Sequence, residues 1–88
     1  QLGLARQLYA AGHQVQLLLL QNGVIPARKG ARSPHFDELL ECGIPVAADD
    51  FSLQQRQIAS SDLKNTIAVN TIDTVIDALL NGHKVIWN

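Results

Sequence analysis

The stretch "YAAGHQVQLLLL" (residues 9–20) decides the fold. It begins as a helical ending, passes a glycine and two more residues, and enters a strand on valine. The same form returns in "LLECGIPVAA" (39–48) and in "LLNGHKVIWN" (79–88). Gly12, Gly43 and Gly82 therefore each stand where a helix hands over to a loop. That position commonly needs a left-handed backbone, which glycine adopts without steric cost. The spacings are unequal, so this is no solenoid repeat. The phrase is the punctuation of successive αβ units.

Helix starts agree with these endings. "RSPHFDELLECG" (32–43) offers Ser33 as N-cap and Pro34 at the first helical position, where its missing N–H does no harm. Phe36, Leu39 and Leu40 form an inward stripe. "DDFSLQQRQI" (49–58) reads as a short helix in which Ser52 and Gln55 have capping-box spacing. "NTIDTVIDALLNG" (70–82), capped by Asn70 or Thr71, puts Ile72, Val75, Ile76, Leu79 and Leu80 on one face and Asp73 and Asp77 on the other. Leu18 and Ile76 are expected in the core.

The strands read as "VQLLLLQ" (15–21), "IPVAA" (44–48), "TIAVN" (66–70) and "KVIWN" (84–88). Period-2 alternation is weak, as in a parallel sheet covered on both faces. Strands separated by helices imply right-handed crossovers and a three-layer α/β/α sandwich with a mostly parallel sheet, flavodoxin-like in kind. The 88 residues make one domain, near the low end of what a single apolar core supports. The absence of methionine and the abrupt helical opening at Gln1 lead us to expect an N-terminally incomplete chain.

Composition narrows the function. A net charge of −1 gives no global pull toward nucleic acid or anionic membrane, and two Phe, one Tyr and one Trp offer few stacking platforms. The longest apolar run is far too short to span a bilayer, and no secretory signal is visible. A single cysteine forms no internal disulfide, which suits a reducing, cytoplasmic compartment. Neither nucleic acid nor membrane is expected as a partner, and no cofactor or metal is expected.

In an open α/β sheet, ligands bind beyond the carboxyl ends of the strands. Three segments belong to that edge: the long loop 22–35, the turn 48–52, and residues 69–71. The loop has no obvious secondary structure and is long for a compact αβ connection. Its Arg28, Lys29 and Arg32, with Gly30 and the Ser33 helix start, suit an anion or an acidic partner surface. The candidate ligand or partner residues are Asn22, Gly23, Arg28, Lys29, Arg32, His35, Asp49, Asp50, Ser52 and Asn70. Asp49 and Asp50 have two readings, a proton-sharing pair or acidic residues stabilised at a helix start by about 0.3–1 kcal/mol each, and the second is simpler. Cys42 falls in the last turn of its helix, where the macrodipole disfavours a thiolate. It reads as a half-buried, inert residue at the edge away from the loop. His13 and His83, in turns at that far edge, carry no chemistry in this reading.

"AAGHQVQLLLLQNGVIPARKG" (10–30), "LLECGIPVAADDFSLQQRQI" (39–58) and "TIDTVIDALLNGHKVIWN" (71–88) together resemble the DsrE-like sulfur-relay family. The phrase "QNGV" after a leucine-rich strand and the closing "D.LL.G.KVIW" carry most of the resemblance. It implies a small α/β domain that assembles into homo- or hetero-oligomers with similar subunits. It also implies a strand ahead of the first helix, to which nothing here corresponds. Because that strand is central in a flavodoxin-like order, its loss should leave a gap or make the others close up. Members carry a reactive cysteine after the strand matching "IPVAA". Here Ala48, Asp49 and Asp50 stand in that place, and Cys42 lies upstream of the strand. The resemblance thus implies a non-catalytic module binding a partner or small ligand. Two alternatives stand beside it: a sulfur carrier using Cys42 as persulfide site, and an anion or nucleotide binder using the basic loop, without a P-loop or GxGxxG to support it.

Overall fold

Three glycines in the left-handed region turn three helices into three strands: Gly12, Gly43 and Gly82 have φ of 90°, 88° and 80°. The computed structural model describes residues 2–88. In chain order these form α1 (Leu2–Ala10), β1 (Val15–Leu19), a 3-10 helix (Gln21–Ala27), α2 (Pro34–Glu41), β2 (Val46–Asp49) and α3 (Asp50–Gln55). A 3-10 turn (Ser60–Asp62), β3 (Ile67–Asn70), α4 (Ile72–Leu80) and β4 (Lys84–Trp87) complete them.

The four strands make one sheet in the order β3-β2-β1-β4, and every neighbouring pair is parallel. β1 pairs with β2 from Leu17↔Val46 to Leu19↔Ala48, and with β4 from Val15↔Lys84 to Leu18↔Trp87. No gap separates them. The central place of β1 explains its run of leucines: Leu17, Leu18 and Leu19 are all buried, on alternating faces.

One face carries most of the core. Leu17, Leu19, Val46 and Ala48 meet Ala5 of α1, Phe36 and Leu39 of α2, Val24 of the 3-10 helix and Leu53 of α3. The opposite face is covered by α4 alone, through a smaller cluster of Leu18, Ala47 and Val75. Leu18 is core, as expected. Ile76 is not. It is 47% exposed, and Ile72, Leu79 and Leu80 are exposed with it, so only Val75 of the apolar face of α4 is buried. A nine-residue helix lying over the sheet seats one row of side chains and leaves the rest of a wide apolar arc outside.

Loop 22–35 also differs from expectation, since its first part is helical. The 3-10 helix is tied down at its end by an antiparallel bridge, Arg28↔Leu63. Lys29 N donates to Asp62 O at 2.7 Å, and Lys64 N to Ala27 O at 2.8 Å. Lys64 Nζ then donates to Ala31 O at 2.9 Å and to Asp37 Oδ1 at 2.6 Å, with its charge 5.6 Å from the Phe36 ring centre. A lysine thus takes the carbonyl that the loop leaves unpaired. Among the described residues, no helix is long and apolar enough to cross a membrane.

Candidate functional site

The site begins with a helix cap. Asp49 ends β2 and is the N-cap of α3: its Oδ2 accepts Ser52 N at 3.0 Å and Ser52 Oγ at 2.8 Å. The capping box read on Ser52 and Gln55 is therefore displaced by one turn. Ser52 is instead the third residue of the helix, held by Asp49. Its hydroxyl oxygen accepts Gln21 N at 2.8 Å, which joins the end of β1 to the start of α3. Ser52 is buried with its hydrogen bonds complete, so its role is to hold this junction. Asp50 faces away from this cluster and accepts Gln54 Nε2 at 2.8 Å. The two aspartates have separate partners, and among the described residues no hydrogen bond joins them.

Arg56, which sequence reasoning passed over, closes the junction from below. Its Nε and Nη2 donate to Asn22 Oδ1 at 3.2 and 3.1 Å, and its Nη1 donates to Ser52 O. Asn22 is thereby a structural acceptor. Gly23 is there for space, because a Cβ at that position would run into the carbonyl of Asn88. Asn88 N donates to Leu18 O and Leu20 N donates to Asn88 O, both at 2.9 Å, so the end of β4 is clasped to β1.

Above this junction lies a cavity of about 440 Å³ at the carboxyl ends of β1, β2 and β4. Gln21, Asp49, Phe51, Gln55, Trp87 and Asn88 line it, together with Leu20 and Ser52. Of the candidate residues, only Asp49 and Ser52 reach it. Asn70 sits beside Asp49 in the β2–β3 register, on the same edge, without lining the cavity. Phe51 and Trp87 were not anticipated. An exposed Phe following two aspartates was the available signal, and nothing in the sequence announced that the end of β4 would arrive next to it.

The basic residues gather elsewhere. Arg28 and Lys29 line a second cavity of about 230 Å³ together with Arg56, Gln57, Ile58 and Asp62, and Arg32 does not line it. His35 lines a third, of about 410 Å³, between α1 and α2 with Arg6, Glu38 and Asn88. Of the basic group expected on the loop, Arg28 and Lys29 thus share one cavity and Arg32 lines neither, while the separate candidate His35 lies at another place. Cys42 is the C-cap of α2 and is exposed, where the sequence suggested half-burial. The helix ends in a left-handed turn at Gly43, with Cys42 on the surface beside it. Among the described residues no group of three or more His, Cys, Asp and Glu is placed to hold a metal ion. No protein-family model matches this sequence, and no curated protein matches it.

Proposed function

We propose that this chain is a non-catalytic α/β module of the DsrE-like kind, which binds a small ligand or a partner protein at the carboxyl edge of its sheet. The observation that carries this reading is the 440 Å³ cavity between Asp49, Phe51 and Trp87, which lies where open parallel sheets receive ligands. Two of its polar groups, Ser52 and one oxygen of Asp49, are engaged in holding the walls, since they are spent on each other. Assembly with a second, similar α/β subunit belongs to the same reading. The outward side chains Ile72, Ile76, Leu79 and Leu80 of α4 supply an apolar surface for it.

One observation favours a second reading, a sulfur carrier. Cys42 is exposed, and a carrier needs an accessible thiol. Its position at the C-terminal end of α2, away from the cavity, opposes that use. The rate of alkylation of the native protein against pH, followed by exposure to a sulfane-sulfur donor, separates the two. We expect slow alkylation at mildly acidic pH and no persulfide on Cys42. Rapid alkylation there together with persulfide uptake, abolished by Cys42→Ser, would replace the module with the carrier.

A further inference from the structure

Two of the chain's four aromatic residues meet at one cavity, although they come from different elements. Phe51 is in the first turn of α3 and Trp87 ends β4; they are 65% and 43% exposed, and both line the cavity at the carboxyl edge. The other two are placed differently, Phe36 in the core and Tyr9 near the opposite edge, beside Pro45 and His83. Aromatic walls left open to water favour flat ligands, because stacking buries both ring faces at once.

Among the residues that line the cavity the charge has one sign; Arg56, outside the lining, is engaged with Asn22 Oδ1 and Ser52 O. No Lys or Arg lines the cavity, whereas Asp49 does. Oδ2 of Asp49 accepts both Ser52 bonds; Oδ1 makes no hydrogen bond among the described residues and is not sealed from solvent. That oxygen is available to a donor. An anionic ligand would be repelled there, and a wholly apolar one would cover Oδ1 without satisfying it, which costs binding. The side-chain amides of Gln21, Gln55 and Asn88 around the same space add donors and acceptors for the edge of a ring.

Resting on the reading of this edge as a binding site, we infer that its ligand is a planar ring system carrying N–H donors and no negative charge, such as an amino-substituted or amidinium-bearing aromatic. Its ring lies against Phe51 and Trp87 and an N–H donates to Asp49 Oδ1. A positive charge on the ring system strengthens both contacts, through the carboxylate and the aromatic faces. The cavity volume accommodates one such ring system.

Trp87 is the only tryptophan, so its emission reports on this site without labelling. Two probes share a phenyl ring and differ in charge: benzamidine and benzoate. Benzamidine is expected to change the Trp87 emission saturably, with an affinity at least about tenfold above that of benzoate. Phe51→Ala should weaken benzamidine binding several-fold. Asp49→Asn keeps a good helix cap while removing the charge, and should bring the two probes close together. Benzoate binding as well as benzamidine to the parent would overturn the ligand class and leave the site standing. Failure of both probes to give a saturable change, or indifference of benzamidine to Phe51→Ala, would overturn the site as well.

Discussion

Asp49 Oδ2 accepts from both the backbone and the hydroxyl of Ser52, and that hydroxyl oxygen in turn accepts Gln21 N. The chain of bonds holds Gln21 at φ 50°, a left-handed conformation that a non-glycine residue adopts at a cost. One carboxylate therefore fixes the start of α3 and, through Ser52, the exit from β1. Asp49→Ala should lower stability by about 0.5–2 kcal/mol in urea unfolding, and Asp49→Asn by much less, because Asn caps nearly as well as Asp. An equal loss for the two variants would show that the cap is not what Asp49 contributes. The acidic pair at this helix start was legible in the sequence; which residue caps was not. Ser52 with Gln55 satisfies the capping-box spacing as well as Asp49 with Ser52 satisfies an N-cap, and only the exact end of β2 chooses between them.

At the scale of elements, α4 separates what periodicity reveals from what it leaves open. The apolar spacing of Ile72, Val75, Ile76, Leu79 and Leu80 correctly announced a helix with an apolar face. Spacing records that a face is apolar, not how much of it another element covers, so Ile76 was misplaced in the core. Leu18→Ala, deep in the sheet, should cost about 2–5 kcal/mol. Ile76→Ala should cost under about 1 kcal/mol in the monomer, as for a surface position. Comparable losses in dilute solution would return Ile76 to the core. The 3-10 helix at Gln21–Ala27 was illegible for another reason. It has no amphipathic period, contains Pro26, and is held by contacts with residues 62–64, which lie far along the chain.

At the scale of the molecule, the parallel sheet followed from three helix–glycine–strand phrases, but the strand order did not. Nothing in "KVIWN" says that it lies beside β1, across the sheet from the strand before it. The cavity depends on that order, because Trp87 meets Asp49 and Phe51 only when β4 is at this place. The large core on one face and the thin cover on the other also bear on assembly. Leu80 is 81% exposed beside three other apolar side chains of α4. Sedimentation should therefore give a concentration-dependent mass above that of the monomer, and Leu80→Glu with Ile76→Lys should return it to 9.6 kDa. A monomer at every concentration in the parent would rule this surface out. The crossing of α4 from one margin of the sheet to the other has a kinetic consequence as well. Val15 and Lys84 are neighbours in space although far apart along the chain, so their pairing closes the longest loop among the strand pairs of the sheet. The β1–β2–β3 ladder can zip locally, each strand onto the one before it. β4 reaches β1 only across that loop, so the cavity between Asp49, Phe51 and Trp87 should be the last part of this edge to assemble in refolding, and Trp87 emission should recover no earlier than the helical signal.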